Sequence, residues 1–182
     1  MDCQVCHGSG SYEATVQGGT PDSPQALAIT ATDGASNQGT ALLTLYVIVP
    51  GGIYLDESDA SFDCEWTYAS RPDAYDGDLR FIDAGTGLCK ATWTPDIPAA
   101  GNYSVHVWWT TNPNRATDAP YTIYYDGGSQ TIDVNQQVNG SQWNQLGTAS
   151  FPFAAGTSGY VVLSDDANGQ VIADAVKFEP QP

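Results

Sequence analysis

Apolar and polar residues alternate along much of this chain in the two-residue rhythm of half-buried strands. No window of about a dozen residues keeps the three- and four-residue apolar spacing of a helix without Gly or Pro intruding. Strand-like runs cover residues 25–32, 40–49, 102–110, 121–125, 131–134, 147–153, 160–163 and 171–178. Turn clusters separate them, among them Asp33-Gly34, Pro50-Gly51-Gly52, Thr94-Pro95, Asp126-Gly127-Gly128, Asn139-Gly140 and Asp165-Asp166-Ala167-Asn168-Gly169. Many short strands punctuated in this way predict an all-β fold built as an antiparallel β-sandwich.

The Pro-Gly-Gly turn at residues 50–52 ends an apolar strand and resets the chain, which predicts a boundary there. The piece after it is sandwich-sized, whereas the first 50 residues hold only three strand-like runs. Within those 50, Ala31-Thr32-Asp33 followed by Asn37-Gln38-Gly39 resembles the A-x-D-x-x-x-N-x-G turn of the last hairpin in bacterial immunoglobulin-like repeats. That resemblance implies a small three-stranded immunoglobulin-like part over residues 11–50 that lacks its front strands. Three strands leave an open edge and an uncovered face, which proteins manage by pairing or covering them, so self-association into a homopolymer is an expectation.

Composition narrows the partners. Of 182 residues, 21 are acidic and 5 basic, for a net charge of −16, which argues against nucleic acid and against anionic membrane surfaces. Asp, not Glu, carries most of that charge, among Gly, Asn, Ser and Thr, as suits turns and strand ends. The longest apolar run, residues 41–49, is far short of the roughly 20 residues of a membrane-spanning helix. Met1 is followed at once by Asp2 and Cys3 with no leader pattern, which reads as a mature form or a fragment.

From residue 53 onward the resemblance is more extensive. Ile53-Tyr54-Leu55-Asp56-Glu57-Ser58-Asp59, Ala91-Thr92-Trp93-Thr94-Pro95, Asn114-Arg115-Ala116-Thr117-Asp118, Gln142-Trp143-Asn144 and Val171-Ile172-Ala173-Asp174-Ala175-Val176 are similar, in order, to the golvesin C-terminal domain, also called the xanthan-lyase carbohydrate-binding-like domain. The resemblance covers residues 53–179. It implies a β-sandwich appended to secreted bacterial enzymes and surface proteins, binding polysaccharide and not itself catalytic.

Individual residues add chemistry. Alternation from Tyr103 to Trp109 puts Tyr103, Val105, Val107 and Trp109 on one face and Ser104, His106 and Trp108 on the other. The first face is the better core. Trp108 then either offers a ring for a sugar to stack on, or packs under a loop or against the N-terminal piece. In the last strand Asp174 shares a face with Ile172, Val176 and Phe178, and a carboxylate among core side chains needs a partner: an ion pair with Arg115, or loop backbone. The Asp-Asp-Ala-Asn-Gly turn at 165–169 has oxygen donors that suit a hard cation, but a plain hairpin turn is the simpler reading. Asn102-Tyr103-Ser104 and Asn139-Gly140-Ser141 match the N-glycosylation triplet, a pattern that chance supplies often.

Cys64 and Cys89 flank two strand-like segments of the same domain and are expected to form a disulfide, which implies an oxidising, extracellular compartment. Cys3-Gln4-Val5-Cys6-His7 is the C-x-x-C-H pattern of covalent haem attachment. Its spacing lets two thiols add to the vinyl groups on one haem edge while the adjacent imidazole ligates iron. A Cys3–Cys6 disulfide, a redox pair and half a zinc site are the alternatives, zinc lacking a second Cys/His pair. The haem reading makes residues 1–10 an attachment segment, with Cys3 and Cys6 bonded to haem c, His7 as axial ligand and His106 as the candidate second ligand.

No nucleophile elbow, phosphate loop or zinc-protease helix motif is present, so no enzyme activity is expected. Two functions follow. One is an extracellular, bacterial electron-transfer protein with one c-type haem, associating into a filament. The other is a carbohydrate-binding or adhesive module of a larger secreted protein, with the C-x-x-C-H incidental.

Overall fold

The computed structural model describes residues 24–32, 38–46 and 51–181. The chain divides into two compact units, Met1–Val49 and Pro50–Pro182. In the first, β1 (Pro24–Thr32) and β2 (Gln38–Tyr46) pair antiparallel from Pro24↔Tyr46 to Thr32↔Gln38. The residues of the expected turn between them, 33–37, lie outside the described residues. The third expected strand of this piece, near residues 10–16, lies outside the described residues.

The second unit opens with β3 (Ile53–Leu55), a 3-10 turn (Glu57–Asp59), β4 (Ser61–Phe62), β5 (Thr67–Ser70), a second short turn (Tyr75–Gly77), β6 (Asp78–Ile82) and β7 (Lys90–Trp93). Longer strands follow: β8 (Gly101–Trp108), β9 (Ala119–Tyr125) and β10 (Gly128–Val134). The unit closes with β11 (Asn144–Gln145), β12 (Phe151–Phe153), β13 (Tyr160–Ser164), β14 (Val171–Ala173) and β15 (Ala175–Pro180). One sheet has the order β10-β9-β13-β7-β4, and a second the order β11-β8-β15-β3 with β12 also on β8. A small sheet, β14-β6-β5, completes the unit, and every strand pair is antiparallel.

Alternation explains the core. Val105 and Val107 of β8, Ile123 of β9, Val161 and Leu163 of β13 and Trp93 of β7 are fully buried in one apolar cluster. Tyr103 and Trp109 join it, so the face assigned to β8 from its alternation is the inner one. The buried Gln136 side chain acts as a tie within this core. It donates to the Ile172 carbonyl (2.9 Å) and the Tyr121 hydroxyl (3.2 Å) and accepts from the Ile172 N–H (2.9 Å). The segment after β10 is thereby fastened to β14, and no orphaned amide is left behind.

Two elements differ from the sequence pattern. Residues 171–178 form two strands, not one: β14 pairs with β6 and β15 with β8, so the chain changes sheet at Asp174. The 165–169 turn is no hairpin, because it carries the chain from β13 to β14 in a different sheet. Asp165 is buried there, and its carboxylate accepts from Gly87 N–H (2.8 Å) and Cys89 N–H (3.2 Å). Those bonds pin the loop that carries the disulfide. Cys64 and Cys89 are bonded, with Cα atoms 5.3 Å apart.

Candidate functional site

The outward residues of β9 and β13 line an open groove of about 570 Å3 on the first sheet. Because Tyr121, Ile123, Val161 and Leu163 point inward, Pro120, Thr122, Tyr124, Tyr160, Val162 and Ser164 point out. Tyr124 and Tyr160 are register partners, and their rings stack at 4.4 Å with planes 16° apart. Beside them the Thr122 and Thr131 hydroxyls are hydrogen-bonded at 2.8 Å. Lys90 and Asp166 supply the charged groups of the lining. Flat rings next to hydroxyls, one ammonium and one carboxylate suit a ligand with both apolar C–H faces and many hydroxyls.

The outer face of the second sheet holds a separate aromatic patch. Tyr54, Tyr75 and Trp108 surround Trp143, with ring centroids 5.7, 5.1 and 5.6 Å from it. The Lys177 ammonium lies 5.7 Å from the Trp143 ring. Trp108, left open between stacking on a ligand and packing under a loop, is half-buried. Its Nε1 donates to the Asp73 carbonyl (3.2 Å) and it meets Tyr75 edge to face at 6.0 Å, so it packs under the 71–77 loop. The exposed member of the patch is Tyr54.

His106 sits beside this patch with its side chain 15% exposed, its Nε2 3.0 Å from Ser104 Oγ and 3.3 Å from Glu179 Oε2. Burial and the nearby Lys177 charge lower its pKa against the opposing pull of Glu179. Arg115 and Asp174 do not form an ion pair. The Arg115 guanidinium bonds the Gln170 and Asn114 side-chain oxygens. Asp174 takes the other option, accepting from Tyr75 N–H (3.1 Å), while its second oxygen has no partner. Burial, opposed by that hydrogen bond and aided by the charges of Asp56, Glu57 and Asp73, pushes the Asp174 carboxyl up to about 8.

The second unit is an antiparallel β-sandwich module with a hydroxyl-lined, tyrosine-flanked groove on one outer face. The chain belongs to the Golvesin C-terminal domain family, whose model matches residues 53–180. It is 34% identical over 117 residues to "Xanthan lyase" of Bacillus sp. (strain GL1), a stretch that is 62% of this chain and 12% of that protein. The solved Paenibacillus xanthan lyase superposes with a TM-score of 0.70 at 33% identity, covering 78% of this chain and 14% of the lyase. The chain thus spans a small part of these relatives. A family 35 carbohydrate binding module from Clostridium thermocellum shares the fold, with a TM-score of 0.51, 10% identity, and coverage of 70% of this chain and 98% of the module.

These relationships correct the cytochrome reading. The chain belongs to the Golvesin C-terminal domain family and shares its fold with a carbohydrate binding module, so haem c as cofactor, and the electron-transfer filament built on it, are set aside. His106, the expected second axial ligand, has its ring nitrogen engaged by Ser104 and Glu179 against the sheet. Cys3, Cys6 and His7 lie outside the described residues. Sequence reasoning missed Tyr124 and Tyr160 because their pairing joins strands 36 positions apart in register and leaves no local signature.

Proposed function

We propose that residues 53–180 form a non-catalytic polysaccharide-binding module of a secreted protein, with the groove over β9, β13 and β7 as the binding surface. The observation that carries this is the stacked Tyr124–Tyr160 pair at the edge of a groove floored by the Thr122–Thr131 hydroxyl pair. Aromatic rings take the apolar face of a pyranose while hydroxyls read its equatorial groups. A lyase or hydrolase site needs a base or a pair of carboxylates set about the scissile bond, and the lining offers Asp166 as its single carboxylate. The Cys64–Cys89 bridge fits an oxidising, extracellular setting.

Affinity electrophoresis against a panel of soluble polysaccharides, followed by calorimetry on the best binder, tests the assignment. Tyr124→Ala and Tyr160→Ala are each expected to weaken binding at least about tenfold, or about 1.4 kcal/mol, while Tyr54→Ala on the opposite sheet leaves it unchanged. Full affinity in the Tyr124→Ala/Tyr160→Ala double variant, with loss in Tyr54→Ala, moves the site to the aromatic patch and overturns the groove.

A further inference from the structure

Where β3 ends and β6 begins, three carboxylates converge. Asp56 follows β3 and caps the 3-10 turn, its Oδ1 accepting from Glu57 N–H (2.9 Å) while Asp59 Oδ2 accepts from Asp56 N–H (3.0 Å). Asp78 is the first residue of β6, and its Oδ2 accepts from the Tyr68 hydroxyl (2.8 Å). One carboxylate oxygen from each of Asp56, Glu57 and Asp78 lies within 4.8 Å of the other two. Oxygens bonded to one calcium ion at about 2.3–2.6 Å stand at such separations from one another.

A cluster of acids on a surface would mean little, but the middle member of this one is withdrawn from solvent while Asp56 and Asp78 are half-buried. Glu57 is 3% exposed, and its Oε2 has no hydrogen-bond partner. A buried, unpartnered carboxylate oxygen held among two other carboxylates is a poor arrangement for the protein alone. Asp174, fully buried and also with an orphaned oxygen, is near enough for its charge interaction with Asp56 and Glu57 to count. Among the described residues neither ion pair involves any of these four groups, so no basic side chain neutralises them.

We propose that Asp56, Glu57 and Asp78 bind a hard divalent cation of the calcium class. The donors are all oxygen, with no His or Cys among them, which disfavours zinc and copper. Three carboxylates drawn from a turn and a strand start suit the flexible, carboxylate-rich coordination of calcium better than magnesium, which keeps several waters and is held by one or two carboxylates. A bound dication supplies the missing partner for Glu57 and turns mutual repulsion into three ion–carboxylate contacts, water completing the shell. The site stands apart from the groove residues, so it is independent of the carbohydrate reading.

The test uses the full chain, stripped with EDTA and titrated with calcium chloride, and separately with terbium. The Trp93 indole donates to the Asp56 carbonyl (3.0 Å), so a terbium ion at the site lies beside an efficient sensitiser. Calcium at about a hundred times its Kd is expected to raise Tm by about 5–10 °C, and terbium emission excited through tryptophan should rise saturably and be displaced by calcium. Glu57→Gln keeps the side chain's shape and Asp78→Asn its size. Each should retain the wild-type circular dichroism and weaken terbium binding at least tenfold, whereas Asp76→Asn, outside the triad, should not. Equal Tm in EDTA and calcium with no sensitised emission overturns the proposal, as does full terbium affinity in both Glu57→Gln and Asp78→Asn.

Discussion

Replacing Asp174 by Asn isolates the cost of a buried carboxyl at the point where the chain changes sheet. The amide keeps an oxygen to accept from Tyr75 N–H (3.1 Å in the wild type) and removes only the titration. Below about pH 3 the wild-type carboxyl is protonated in both the folded and the unfolded chain, and the two proteins should be nearly equal in stability. As pH rises the unfolded chain releases its proton at the ordinary 3.8, whereas the folded chain holds it to about 8. Wild-type stability is therefore lost across that window, at about 1.4 kcal/mol per pH unit, amounting to something on the order of 5 kcal/mol by its upper end. Urea titrations followed by tryptophan fluorescence, run in EDTA at pH values across the window, give the comparison. The stability advantage of Asp174→Asn should grow steadily with pH and then level off. An advantage that does not change with pH means that the folded carboxyl titrates normally, and the account of Asp174 as a desolvated group fails.

Two further outcomes follow from the fold. Breaking the Cys64–Cys89 bridge, which closes a separation of 25 residues, should cost about 3 kcal/mol in the entropic picture; a Cys64→Ser/Cys89→Ser variant with unchanged urea midpoint would show that the bridge is idle. Gln136→Leu strands the Ile172 N–H in the core and leaves its carbonyl only the longer Tyr121 hydroxyl bond (3.4 Å), and at about 1–3 kcal/mol for an orphaned group the loss should be about 2 kcal/mol by the same measurement.

How far the sequence showed these features depends on whether their determinants are local. In β8 every second residue is apolar over four repeats, and the inner face follows directly. The 53–82 region resisted such reading because its strands are two to five residues long and set between Asp-rich turns, too short for a period to declare itself. Residues 171–178 misled for the opposite reason. They are apolar enough to look like one strand, yet all of them are buried, so alternation could not reveal the switch of sheets at Asp174. Pairing Arg115 with Asp174 rested on the scarcity of arginines, and amide oxygens of Gln170 and Asn114 satisfy the guanidinium instead. The haem reading came from five residues whose pattern is strong in itself, and the 128 residues that define the family outweigh it. Tyr124 with Tyr160, and Asp56 with Asp78, are assembled only by long-range register, which a single sequence does not display.

The placement of the groove and the acidic corner suggests a division of labour between them. The groove stands over β9, β13 and β7, strands held by continuous ladders whose inner residues Tyr121, Ile123, Val161, Leu163, Ala91 and Trp93 are buried. The corner stands where β3, the 3-10 turn and β6 meet, in a part built from short strands and a three-stranded sheet with few ladder bonds. A cation held by Asp56, Glu57 and Asp78 would cross-link β3's end to β6's start, adding its binding energy where the fold has least of its own. Removing it should therefore lower the unfolding midpoint while leaving the polysaccharide Kd unchanged at temperatures well below that midpoint, because the corner shares no residue with the groove lining. A Kd that weakens in step with the midpoint would instead mean that the short-strand region and the groove sheet unfold and bind as one cooperative unit.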